Sequence, residues 1–153
     1  MSQAESLVIR AGRPSDAAAA MDVLRRSITE LCTADHGNDP AELDPWLASK
    51  TEANWLKWLA VPGAGVLVAE VAGRLAGVGM INATALVQVL YVAPEARFAG
   101  VSSALLAAME DIARADECAT ISLDSTATAR RFYLARGYLP VAPGAKRLEK
   151  PLR

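Results

Sequence analysis

The sequence predicts a mixed α/β fold: a central, mostly antiparallel sheet with helices on both faces. Three observations predict it. Short apolar runs bounded by glycine and proline alternate with segments of helical periodicity. Three of those runs follow one another with short turns between them, as in a meander. One run, Ala85–Val92, is apolar at both alternating sets of positions, as a central strand covered on each side would be. The chain has 153 residues. That fits one domain over 1–153 and suffices for a core without disulfides or a structural metal.

The elements read in order as follows. Leu7–Ala11 is a short strand. Gly12, Arg13 and Pro14 turn it into a helix, with Pro14 suited to the first helical position and Asp16 complementing the helix dipole. Ala17, Met21, Leu24, Ile28 and Leu31 form one apolar face, and Asp22 to Arg26 is a favourable i,i+4 pair. Gly37, Asn38 and Pro40 break the pattern. Ala41–Leu59 is helical again, expected in two pieces because of Pro45. Pro62, Gly63 and Gly65 end it.

Val66–Val71 and Arg74–Ile81 are strands around a tight Ala72-Gly73 turn. Ala85–Val92 follows and stops at Pro94. Val101, Leu105, Ala108 and Ile112 form the core face of the next helix, with Glu110, Asp111 and Arg114 expected outside. Ala119–Leu123 is a buried strand. Ser125 or Thr126 can cap the last helix, which Gly137 ends in the left-handed conformation. Tyr138–Val141 and Ala145–Leu152 close the chain as two short strands.

Composition narrows the function. A formal net charge of -1 provides no global field for nucleic acid or an anionic membrane. Two cysteines, Cys32 and Cys118, read as buried reduced thiols, and the single histidine, His36, argues against a zinc site; no metal is expected. Met1–Ser6 is polar, unlike a secretory leader, and no apolar run approaches the roughly 20 residues of a membrane span. A cytoplasmic location is the default expectation.

The chemistry begins where the central strand meets the following helix, at L-Y-V-A-P-E-A-R-F-A-G-V-S-S, Leu90–Ser103. A helix N-terminus offers free N–H donors and partial positive charge, which suits a phosphate. Gly100 permits close backbone approach, Ser102 and Ser103 bring hydroxyls, and Arg97 a fixed charge. An ordinary serine-capped helix start fits the same residues. The glycines and lysine of a Walker loop or a dinucleotide fingerprint are absent.

R-F-A-G-V-S, Arg97–Ser102, resembles the acetyl-CoA signature of the GCN5-related N-acetyltransferase (GNAT) family, [Q/R]-x-x-G-x-[G/A]. Arg97 and Gly100 match; Ser102 replaces the usual Gly or Ala. A second stretch, S-T-A-T-A-R-R-F-Y-L-A-R-G-Y, Ser125–Tyr138, resembles the family's C-terminal segment through Ala129, Phe132, Tyr133, Gly137 and Tyr138, with Thr126 near the usual Asn. Element order agrees along the chain.

The resemblance implies a GNAT-like domain and an acetyl-CoA-dependent N-acetyltransferase. It implies cofactor contacts from Leu90, Tyr91 and Val92 to the pantetheine arm, like an added strand. It implies further contacts from Arg97, Phe98, Ala99, Gly100, Val101, Ser102 and Ser103 to the pyrophosphate, and from Thr126, Ala129 and Phe132. Tyr133 would protonate the leaving thiolate as general acid; the same tyrosine also fits a core position with its hydroxyl tied to backbone. By family habit a homodimer is expected.

The place of the family's strand glutamate holds Leu86, so no base is evident. Gln88 is the one polar residue within that strand, either a substrate or water ligand or a satisfied amide. Ser27–Ser49 holds Glu30, Asp35, His36, Asp39, Glu42 and Asp44 and no Lys or Arg. It suggests a small cationic amine acceptor with Asp35 or His36 near the reacting nitrogen, or else a solvated acidic loop. Trp46, Trp55 and Trp58 fit either an acceptor pocket or packing on the sheet. A non-catalytic acyl-CoA-binding module is the alternative.

Overall fold

A computed structural model of the chain describes residues 6–153. All of the polar start except Ser6 lies outside the described residues. The described residues form a sheet of seven strands in the order β1-β2-β3-β4-β5-β7-β6. These are β1 (Leu7–Ala11), β2 (Gly65–Val71), β3 (Arg74–Ile81), β4 (Leu86–Val92), β5 (Thr120–Asp124), β6 (Leu139–Pro140) and β7 (Arg147–Pro151). Every neighbouring pair is antiparallel except β4 and β5, which run parallel. Among the described residues six α-helices flank it: α1 (Ala17–Leu31), α2 (Thr33–His36), α3 (Pro40–Ala48), α4 (Glu52–Leu59), α5 (Val101–Ala115) and α6 (Arg130–Leu134). The predicted fold class holds.

The two sheet faces carry separate cores. On one, α1 and α4 cover Val66, Val68, Val78, Met80 and Val89 with Met21, Leu24 and Trp55. Trp55 is fully buried and donates its indole N–H to the Arg13 carbonyl at 2.8 Å. On the other, Val101 and Leu105 of α5 cover Ala69 and Ala76, while Leu106 and Met109 pack with Ile121, Leu123 and Tyr133. Two glycines of β3 bring α5 close. A Cβ on Gly77 would lie 2.7 Å from Val101, and one on Gly79 3.2 Å from Met109. This close approach seats the start of α5 beside the end of β4.

Four local expectations are corrected. The break in the second helical region falls at Ser49–Thr51, and Pro45 lies inside α3. That helix buries no residue, so the carbonyl freed by Pro45 can reach water. The last helix is regular only from Arg130; in the turn before it Thr126 Oγ1 accepts from the Ala129 N–H at 3.2 Å, and Asp35 accepts from the amides of Ala127 and Thr128. Glu110 is buried, not outside: it accepts hydrogen bonds from the Tyr138 hydroxyl at 2.7 Å and Lys150 Nζ at 3.1 Å. Cys118 is only half-buried, and both cysteines are free.

One irregularity shapes the centre of the sheet. The β3–β4 register runs Met80↔Val89 and then Ile81↔Val87, which leaves Gln88 as the extra residue of a β-bulge. On the other side, β4 and β5 pair only at Leu86↔Ser122 and Val87↔Leu123. Beyond the bulge β4 bends away and the two strands part.

Candidate active site

The parting strands open a cavity of about 530 Å³ that passes through the sheet. On the α5 face its wall includes Leu90, Val92, Val101, Phe132 and Tyr133. On the α1 face it includes Ser27, Leu31, Cys32, Val89 and Tyr91. The N–H of Ala93 donates to Ala76 of β3 at 2.8 Å. Strand alternation therefore aims the N–H groups of Leu90 and Val92 the other way, into the gap left by β5. An extended ligand can pair there as a strand would.

At one end the cavity meets the start of α5. Gly100, its N-cap, has φ +79°, and no side chain caps the helix. The first intrahelical bond runs from the Ala104 N–H to the Gly100 carbonyl at 3.0 Å. The preceding N–H groups thus point out of a helix end whose dipole favours an anion. A Cβ on Gly100 would meet no protein atom within 4 Å, so the space above it is open.

Arg136 of the α6 C-terminal turn reaches the same place. Its guanidinium donates to Ser103 Oγ at 2.6 and 3.1 Å and to the Phe132 carbonyl, and it stacks 3.8 Å from the Phe132 ring centroid. Sequence reasoning missed Arg136, and the nearby Arg130 and Arg131 do not take its place. Arg130 instead donates to the Ala145 carbonyl, and neither lines the cavity. The position of Arg136 just before the left-handed Gly137 was the available signal.

Arg97 is exposed at the cavity mouth, its guanidinium 4.8 Å from the centroid of Phe98. Phe98 is 94% exposed and itself left-handed, at φ +62°. The residues predicted to contact the cofactor all line the cavity, with one exception. Ala99, between left-handed Phe98 and Gly100, is turned toward a smaller cleft beside Glu95 and Ala96.

Tyr133 is buried in the wall between Phe132 and Tyr138, with which its ring makes edge-on contacts. Its hydroxyl bonds to no described residue, and no described side-chain polar atom is both sealed and unsatisfied. The hydroxyl therefore opens on the cavity. Burial, with Tyr91 nearby, pushes this phenol above its ordinary pKa, so it is protonated and can donate.

The acidic segment differs from expectation. Asp35 does not line the cavity. Its carboxylate accepts hydrogen bonds from the Ala127 N–H at 2.6 Å, the Thr128 N–H at 3.4 Å and the Thr128 hydroxyl. His36 is buried beneath Trp46, with Nε2 against the Ile28 carbonyl at 2.8 Å and Nδ1 accepting from the Asn38 N–H at 3.0 Å. Neither ring nitrogen is available to a substrate. Gln88 does reach the cavity, exposed by its own bulge. None of the three tryptophans lines it.

The described residues thus present an α/β sheet with a split parallel pair, an uncapped helix N-terminus at one end of the gap and a buried phenol on its wall. The profile of the family described as "Acetyltransferase (GNAT) domain" matches residues 43–150. The chain belongs to the GNAT family. No curated protein matches the sequence. Solved structures share the fold. A GCN5-related N-acetyltransferase from Rhodopseudomonas palustris has TM-score 0.85 at 24% identity, over 96% of this chain and 97% of its own. The PaiA N-acetyltransferase of Thermoplasma acidophilum, in complex with coenzyme A, has TM-score 0.81 at 17% identity, over 95% and 99%. YncA of Salmonella typhimurium, with its cofactor acetyl-CoA, has TM-score 0.66 at 22% identity, over 97% and 95%.

Proposed function

We propose that the chain, acting as one domain, transfers the acetyl group of acetyl-CoA directly to the amine of a small molecule. The observation that carries this reading is the continuous cavity from the free N–H groups at Gly100 to the open Tyr133 hydroxyl. The first turn of α5 and Arg136 suit a pyrophosphate. The inward N–H groups of Leu90 and Val92 suit the amides of a pantetheine arm, and the Leu90 N–H would polarise a thioester carbonyl lying in the gap.

In this reading the cosubstrate supplies the activated acyl group and this chain's residues do the rest. The backbone of β4 orients the carbonyl. The acceptor nitrogen, entering from the α1 face, forms the new C–N bond as the C–S bond breaks. Tyr133 gives its proton to the departing sulfur and regains one from the acceptor nitrogen through water. A screen for thiol release from acetyl-CoA over a panel of acceptors, run beside Tyr133→Phe, tests this. Acceptor-dependent release that Tyr133→Phe suppresses is the expected result. Coenzyme A binding without release by any acceptor would favour a sensing module instead. That reading draws on one observation: among the described residues no imidazole nitrogen or unpaired carboxylate faces the cavity.

A further inference from the structure

We propose that the acceptor is a weakly basic, apolar-bodied amine, such as an arylamine, that enters as the neutral free base and not as an alkylammonium ion. This rests on the acetyltransferase reading above. The acceptor chamber is the part of the cavity on the α1 face, walled by Ser27, Leu31, Cys32, Val89 and Tyr91. None of these carries a charge. The groups that could serve a cation lie close by, and each is engaged elsewhere. Asp35 holds the Ala127–Thr128 backbone. Both nitrogens of His36 are bonded within the protein. Asp124, the one carboxylate on the cavity wall, receives two hydrogen bonds from Arg147, at 2.6 and 3.1 Å. The charged residues left on the wall, Arg97 and Arg136, are themselves cations.

A cation drawn into such a chamber loses water and gains no counter-ion. The proton count gives the same answer. A neutral primary amine surrenders one proton on becoming an amide, and the departing thiolate consumes one through Tyr133, so the reaction closes without an external base. An ammonium ion brings one proton more, and no described group in the chamber can take it. Near neutral pH only about one molecule in a few thousand of a lysine-like amine is the free base, whereas an arylamine is wholly so. Leu31, Val89 and Tyr91 offer an apolar body a dry surface in place of water.

The test compares aniline with benzylamine and a linear alkyl diamine under saturating acetyl-CoA, from about pH 6.5 to 9. Burial pushes the Cys32 thiol up to about 11 and the Tyr91 phenol up to about 12, and Tyr133 is raised as well. None of them titrates in that window, so the profile reports on the amine. At about pH 7, kcat/KM for aniline is expected to exceed that for benzylamine at least tenfold. The aniline profile is expected to be flat and the benzylamine profile to rise about tenfold per pH unit. Leu31→Glu, which places a carboxylate on the chamber wall, is expected to shift the ratio toward benzylamine about tenfold. Calorimetric titration of both amines into the coenzyme A complex should show the same order. If Leu31→Glu does not fold, the unmodified protein's profiles decide. Benzylamine or the diamine preferred near pH 7, with a plateau above it, would overturn this inference and leave the acetyltransferase reading intact. No release with any amine would overturn both.

Discussion

The Asp35 carboxylate on α2 clasps Thr128, accepting from both its amide and its hydroxyl and, at 2.6 Å, from the Ala127 amide. The pair joins the α1–α2 corner to the turn that leads from β5 into α6, and so sets the spacing between the acceptor chamber and Tyr133. Asp35→Ala should release that turn. Hydrogen bonds to a charged acceptor are worth about 1.5–3 kcal/mol, and partial exposure places this clasp near the lower end. We expect a modest fall in melting temperature and severalfold weaker coenzyme A binding, with the order of acceptors unchanged. A changed order, read from the acceptor panel, would give Asp35 a direct part in acceptor recognition.

Tyr133→Phe removes only the hydroxyl that opens on the cavity. General-acid catalysis contributes about 100-fold or more. Turnover should fall by that order while coenzyme A affinity, measured by calorimetry, stays within about twofold. Wild-type turnover in the variant would leave Tyr133 as a wall residue and nothing more.

Gly100→Val meets strain and not a clash. The left-handed φ costs a β-branched side chain about 1–2 kcal/mol or more, yet the Cβ position is empty of protein atoms. The variant should fold and lose coenzyme A binding, because the new side chain occupies the ligand's space. Ser102→Gly should bind normally. Retained affinity in Gly100→Val, by titration, would remove this turn from the cofactor site.

Arg136→Ala should separate the two ends of the cavity. The guanidinium sits beside Ser103 near the start of α5, whereas the proposed acceptor chamber is walled by residues of α1 and β4 and by Cys32. Binding of coenzyme A should weaken about tenfold, while kcat/KM with acetyl-pantetheine, which lacks the pyrophosphate, should hardly move. Equal losses for both thioesters would argue that Arg136 only props Phe132.

Stability should fall in alkali. Burial raises the phenols of Tyr91, Tyr133 and Tyr138 above the value of about 10 they have in the unfolded chain. The folded state therefore holds protons that the unfolded state releases. The contribution is complete below about pH 10 and is lost as the pH rises through the folded values, for Tyr91 about 12. Denaturant titrations from pH 8 upward should show an unfolding free energy that is level at first and declines beyond about pH 10.

Much of the fold was legible because it depends on neighbours in sequence. The apolar spacing of Met21, Leu24 and Ile28 implied the buried face of α1, and that face is buried. The Ala72-Gly73 pair implied a tight hairpin, and both residues have positive φ. Pro45 misled for a physical reason: a proline costs a helix one bond and crowds the preceding turn, but it need not end the helix where the freed carbonyl can reach water, and α3 buries no residue. Glu110 misled because an acidic residue flanked by Asp111 and Arg114 looks solvated until its partners are known.

What the sequence by itself determined is the family, the order of elements and the turn that opens α5, since Arg97 to Ser103 and Ala129 to Tyr138 are short motifs whose geometry is local. Only the tertiary structure decided the chemistry of the gap. It placed the bulge at Gln88, brought Arg136 to Ser103, joined Tyr138 and Lys150 to Glu110 over separations of 28 and 40 residues, and closed Asp35 onto Thr128 over 93. Periodicity records which face of an element is apolar; it holds no record of which polar side chain that face will meet. For this reason the acidic stretch from Ser27 to Ser49 suggested a cation site, whereas in the folded chain Asp35 and His36 are bonded within the protein and the chamber beside them is neutral.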